Sequence, residues 1–135
     1  MSELGPPDRE LLEAAQRLLA ERYVHGRHEV AAALRSRSGA IHLGLHVDGS
    51  ARRTGICAEG MAIGAAAAAG DLEIDTIVAV QYKPAGVFRV ISPCGVCREL
   101  IHDYSPDATV INYDDGRVIP TPIRELLPSK TQRAW

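Results

Sequence analysis

Apolar residues change their spacing along this chain, and the changes mark its elements. Leu12, Ala15, Leu19 and Tyr23 recur every three or four positions, one stripe of a helix for which Asp8 can serve as N-cap. His25-Gly26 breaks it. Val30 to Leu34 reads as a strand, Arg35 to Gly39 as a turn, and Ile41 to Val47 as the hairpin partner. Along that partner the period falls to two: Ile41, Leu43, Leu45 and Val47 share one face, His42, Gly44 and His46 the other. Cys57 to Ala69 follows as an alanine-rich helix with Gly70 as its stop. The continuous apolar run Ile74 to Gln81 predicts a central strand buried on both faces. Val87 to Ile91 is a further strand and runs directly into Pro93 and a helix over Cys94 to Tyr104. Thr109 to Tyr113 is the fifth strand, Asp114-Asp115-Gly116 a turn, and Ile123 to Leu127 a short last helix. The sum is an α/β chain forming one domain over residues 1–135, a mixed five-stranded sheet with helices on both faces.

Composition narrows the partners more than the fold. With 135 residues the chain suits one domain, and its 46% hydrophobic content is that of an ordinary globular protein. A formal net charge of -2 argues against a polynucleotide or another polyanion as ligand. Met1 to Asp8 is polar and proline-bearing, unlike a signal peptide, and no stretch is long enough to span a membrane. The expectation is a cytoplasmic protein, where thiols intended for a metal stay reduced.

The thiols are the chemistry. Cys57-Ala58-Glu59 sets one beside a carboxylate, and Pro93-Cys94-Gly95-Val96-Cys97 supplies two more, spaced so that one helix face presents both. These are all the cysteines there are. Three thiolates can hold a zinc ion and leave its fourth position to water, the catalytic arrangement. Each group falls at a predicted helix start, where the partial positive charge favours thiolate. Glu59, two residues after Cys57, is within side-chain reach of that water and can take its proton. Three thiolates overcompensate a dication, so a positive neighbour is wanted. Arg98 is the first candidate, with Arg52 and Arg53 behind it.

Other readings compete. Cys94-Gly95-Val96-Cys97 alone would suit a thiol–disulfide oxidoreductase, but that leaves Cys57-Ala58-Glu59 unexplained. A non-catalytic zinc module would need a fourth fixed ligand, for which His25, His28, His42, His46 and His102 are available.

Over nearly its whole length the chain resembles the cytidine deaminase superfamily, in particular the small nucleoside-acting branch with cytidine and blasticidin-S deaminases. The resemblance lies in Val30-Ala31-Ala32-Ala33-Leu34, in Ile56-Cys57-Ala58-Glu59, and in Ser92-Pro93-Cys94-Gly95-Val96-Cys97-Arg98. The Ala65 to Ala69 run with Gly70-Asp71-Leu72, and Arg124-Glu125-Leu126-Leu127-Pro128, look most like blasticidin-S deaminases. A cysteine as first ligand is similar to the free-nucleoside enzymes.

The resemblance implies a three-layer α/β/α fold, one zinc per subunit on Cys57, Cys94 and Cys97, and Glu59 as proton shuttle. It implies attack of zinc-bound hydroxide at C4 of a cytidine-like nucleoside with release of ammonia; blasticidin S, another modified nucleoside or a free base is the alternative substrate. The Ala58 N–H would meet the base carbonyl, and the Pro93 or Ser92 carbonyl the amino group. The family commonly works as a homotetramer with sites completed by neighbours. Four positions depart from its pattern. His46 and Asp48 stand where cytidine deaminases place an asparagine and a glutamate on the ribose. His28 stands where an aromatic residue is common, and Gly60 where an arginine often follows the glutamate. His28 and the segment ending in Trp135 are further candidates for the sugar end of the site.

Overall fold

The computed structural model describes residues 4–83 and 86–134; Trp135 lies outside them. In chain order the elements are α1 (Pro6–Arg22), β1 (Val30–Ser36), β2 (Ile41–Leu45), α2 (Ala58–Ala68), β3 (Ile74–Lys83), β4 (Val87–Val90), α3 (Gly95–Tyr104), β5 (Thr109–Asp114), β6 (Arg117–Pro122) and α4 (Ile123–Leu126). The strands form one mixed sheet in the order β2-β1-β3-β5-β6, with β4 added alongside β3. All pairs are antiparallel except β3–β5. A parallel pair needs a crossover, and β4 with α3 supplies it.

The sheet has six strands where the sequence pattern predicts five. The addition is β6, whose Pro120 and Pro122 argue against a strand in sequence. Both are tolerated because β6 closes one edge of the sheet and pairs only with β5. The turn before it was legible: Asp115 (φ 49°) and Gly116 (φ 81°) are both left-handed, as a two-residue hairpin turn requires.

Side chains alternate across the central strands and build a core on each face. Ala31, Ala33, Val78, Val80 and Ile111 meet Leu11, Ala15 and Leu19 of α1. Ala32, Leu34, Ile77, Ala79 and Val110 meet Ala58, Ala62, Ile63 and Ala66 of α2, Ile101 of α3 and Ile123 of α4. Two departures concern α1. Its buried stripe passes through Leu11, with Leu12 at the margin, because Leu11, Ala15 and Leu19 lie in line at four-residue intervals. Its N-cap is Gly5 ahead of Pro6, and Asp8 instead sits in the first turn, where a carboxylate complements the helix dipole.

α2 lies unusually close to the sheet. Its inward face is Ala58, Ala62 and Ala66, which hold the helix axis near β1 and β2. Opposite them stands Gly44 of β2: a Cβ there would lie 2.2 Å from the Ala62 nitrogen and 2.4 Å from the Ala58 oxygen. The β2 face that reads as polar in sequence is therefore the one that faces α2.

Candidate active site

Two helix starts converge on one point. Cys57 is the N-cap of α2 and Cys94 the N-cap of α3, both in extended backbone conformation (ψ 147° and 170°). Cys97 lies one turn into α3 and is buried. The three sulfurs lie within 4.8 Å of one another, with Cys57 Sγ and Cys94 Sγ 3.6 Å apart. A tetrahedral ion with bonds of about 2.3 Å would set its sulfur ligands about 3.8 Å apart, so the donor set fits zinc in kind and in spacing. Among the described residues no histidine or carboxylate joins the cluster, which leaves the fourth position to a small molecule.

The protonation balance of the metal-free thiols points the same way. Burial, then the negative charges of Glu59, Cys57 and Cys94, push the Cys97 thiol far above its ordinary value. Cys57 is raised too, first by burial and then by Cys94. At Cys94 burial works upward, but the backbone amide of Cys97, the neighbouring thiols and the Val96 amide bring the net value down. Burial and mutual repulsion thus keep Cys57 and Cys97 protonated on their own, and a divalent ion would replace the thiol protons. A dithiol redox pair, by contrast, needs two thiols, and here Cys57 Sγ stands 3.6 Å from Cys94 Sγ as a third member of the cluster.

A cavity of about 140 Å³ opens beside the sulfurs, lined by Val30, His46, Cys57, Ala58, Glu59, Ile91, Ser92 and Cys94. Glu59, the second residue of α2, is 5% exposed. Burial raises its carboxyl above the ordinary value, opposed by its own backbone N–H and the Cys97 thiol. Ala58 opens the same helix turn, where N–H groups have no intrahelical carbonyl. Val30 and Ile91 are apolar walls that sequence reasoning missed, because an apolar strand end looks like any core residue.

His46 forms the opposite wall, and its hydrogen bonds define its tautomer. The Glu29 backbone N–H donates to Nδ1 at 3.1 Å, so the proton resides on Nε2, which faces Asp48 Oδ2 at 3.3 Å. Asp48 is in turn fixed from behind, its carbonyl accepting from Arg27 Nε at 2.8 Å. His28 does not line the cavity: its Nδ1 donates to the His46 carbonyl at 2.8 Å and so braces the wall. Pro93 packs on the other side of Glu59, with Ile77, Ala79 and Ile91. Ser92 holds the Tyr113 carbonyl through its hydroxyl at 2.7 Å.

Arg98 spends its guanidinium on two carbonyls, Nε to Pro93 O at 2.9 Å and Nη1 to Leu126 O at 3.1 Å. It thereby fixes the turn that enters α3. Arg52 and Arg53 are exposed in the loop before Cys57.

The family described as the cytidine and deoxycytidylate deaminase zinc-binding region matches residues 6–113. The chain belongs to this family. Over 134 residues, 96% of each chain, it is 41% identical to a blasticidin-S deaminase from Bacillus cereus. Among solved structures, cytidine deaminase from Burkholderia pseudomallei superposes with a TM-score of 0.75 at 28% identity, covering 91% of this chain and 98% of its own. Cytidine deaminase from Bacillus anthracis superposes with 0.79 at 24% identity, covering 91% and 88%, a likeness of fold. The chain is thus a hydrolytic deaminase of the zinc-dependent kind, and its three thiols are the group that could hold the ion.

Proposed function

We propose that this deaminase acts on a free aminopyrimidine nucleoside, with blasticidin S the first substrate to test and cytidine the second. The observation that carries the reading is one cavity whose lining brings together a buried carboxylate, Glu59, two of the three clustered thiols, Cys57 and Cys94, and a hydrogen-bonding histidine, His46. The order of substrates follows the 41% identity to a blasticidin-S deaminase over nearly the full chain, beside cytidine deaminases at lower identity.

Val30 and Ile91 offer apolar surfaces to the faces of a flat ring. The Ala58 N–H holds the ring carbonyl. The Pro93 carbonyl, with one lone pair engaged by Arg98, or the Ser92 carbonyl receives the amino group. Zinc, when bound to Cys57, Cys94 and Cys97, supplies the Lewis acidity that brings the pKa of water toward neutrality. Glu59 would carry the first proton of the attacking water to ring N3 and the second, from the hydroxyl then on C4, to the departing amine. Water oxygen replaces nitrogen at C4, and ammonia leaves. His46 lines the cavity with its Nε2–H on Asp48 Oδ2 at 3.3 Å, and the pair exchanges that bond for bonds to the sugar hydroxyls.

The proposal includes a cytoplasmic homo-oligomer, a tetramer by family habit. Free cysteines and the exposed apolar outer face of α2, with Met61 at 36% exposure, support it. Light scattering of the purified protein checks the assembly. Ammonia release from the zinc-loaded protein with blasticidin S, cytidine, deoxycytidine and cytosine tests the substrate. Turnover of blasticidin S or cytidine well above cytosine is expected; none on either nucleoside would overturn the proposal.

A further inference from the structure

We propose that Gly44 is a positioning residue for the deaminase site: by having no side chain, it sets the depth at which the first turn of α2 carries Cys57, Ala58 and Glu59. This rests on the metal-site reading above and not on the identity of the substrate.

A Cβ on Gly44 would lie 2.2 Å from the Ala62 nitrogen, 2.4 Å from the Ala58 oxygen and 2.8 Å from the Ala62 Cα. Ala58 O and Ala62 N are i and i+4 partners at the start of α2, one step after the bond from the Met61 N–H to the Cys57 carbonyl. The bare Cα of Gly44 therefore nests against the Ala58–Ala62 bond itself. Non-bonded heavy atoms sit at about 3.5–4.0 Å, so any side chain here would drive the turn away by roughly 1 Å or more. Nothing flexible stands in the way, since the nearest atoms are all helix backbone.

The displaced turn carries every group that the site draws from α2. Cys57 is its N-cap, Ala58 its first residue and Glu59 its second, all lining the cavity. The other contributors are tied elsewhere. Cys94 and Cys97 belong to α3, Ile91 and Ser92 follow β4, and His46 is held by Glu29 and Asp48. Moving α2 thus separates one sulfur from two and the proton-carrying carboxylate from the ring, while most of the binding walls stay put. The strand supports this role from behind: Gly44 pairs with Ala32 of β1, which is fully buried in the core beneath α2.

Gly44→Ala is the direct test, with Gly64→Ala as its control. Gly64 lies two turns along the same helix with open space where its Cβ would go. Misplacing a reacting group by about 1 Å costs roughly a hundredfold in rate, and disturbing the support of a metal ligand costs roughly 10- to 100-fold in metal affinity. We expect Gly44→Ala to release zinc to a chelator at least about tenfold more readily, to change the absorption spectrum of the cobalt-substituted protein, and to lower kcat about a hundredfold. KM on the best substrate should move much less, and Gly64→Ala should match the parent in all four. Should Gly44→Ala not accumulate as folded protein, Ala62→Ser enlarges the buried inward face by which α2 rests on the sheet and is expected to shift zinc release and kcat in the same direction, less far. Native zinc release and native kcat in folded Gly44→Ala, or in Ala62→Ser where that is the one to fold, would overturn the inference. Zinc release is read without substrate, so a wrong substrate assignment leaves that arm of the test intact.

Discussion

Each end of α2 sets a carboxylate near a histidine of the β2 segment, and the two carboxylates are treated in opposite ways. Just past the C-terminal end, Asp71 Oδ2 accepts hydrogen bonds from His42 Nε2 at 2.8 Å, from Ser36 Oγ at 2.5 Å and from Ser38 Oγ at 2.8 Å. The bonds from His42, Ser36 and Ser38, in that order, hold its carboxyl down at about 2. At the N-terminal end, Glu59 is buried with far fewer donors, and burial lifts its carboxyl above the ordinary value. An acid saturated with donors keeps its charge and ties segments together. An acid short of them can exchange a proton near neutrality. One helix carries a fastener at one end and, in the proposed mechanism, a reactive group at the other.

The largest test removes what the reactive end is built around. Cys57→Ala, Cys94→Ala or Cys97→Ala should each bring zinc stoichiometry, measured by elemental analysis, close to zero and abolish ammonia release. Full zinc content in all three would separate the N-terminal end of α2 from any metal. Glu59→Gln comes next: zinc content and melting temperature should hold, while turnover falls by roughly 10²- to 10⁴-fold. Near-native turnover in that variant would erase the contrast with Asp71.

A smaller effect is expected at the wall opposite. His46→Ala and Asp48→Ala should each lower kcat/KM for the preferred nucleoside roughly 10- to 100-fold, since a hydrogen bond to a charged group is worth about 1.5–3 kcal/mol. Any turnover of the free base should stay as it is, and equal losses on base and nucleoside would place the pair outside sugar recognition.

The fastener should leave chemistry untouched. Asp71→Asn is expected to keep kcat and to melt lower at neutral pH. Because the folded pKa lies below the unfolded value of 3.8, the stabilising contribution is complete above that value and fades as pH falls toward about 2. Melting curves of parent and variant should therefore converge in acid, as calorimetry over a pH series would register. A constant gap down to pH 2 would take the acid sensitivity away from Asp71.

The reactive end was legible in sequence and the fastener was not, for a physical reason. Thiols, a carboxylate and a proline at short fixed spacings name a metal and a proton carrier by residue type, and both helix starts lie within one residue of their expected places. The Asp71 knot joins residues 29 to 35 positions apart through side chains that are commonplace on any surface. Arg98 is similar, since its partners are backbone carbonyls and carbonyls leave no trace in a sequence. Gly44 was hidden by its neighbours: between His42 and His46 it reads as part of a solvated row, whereas the row faces α2. Pro120 and Pro122 concealed β6 by the rule that proline stays out of strands, which an edge strand escapes.

The Arg98 to Leu126 bond has a consequence for how the protein is made. Its partners are 28 residues apart, and the same guanidinium fixes the Pro93 carbonyl at the mouth of α3. During vectorial synthesis the Cys94–Cys97 segment therefore leaves the ribosome well before α4 can brace it. In that interval the thiols stand at an unfastened helix start, open to oxidation and to stray metals. A chain cut before Ile123 should therefore label with a thiol reagent at Cys97 faster than the chain that carries α4, and equal rates would show that the Leu126 carbonyl braces nothing.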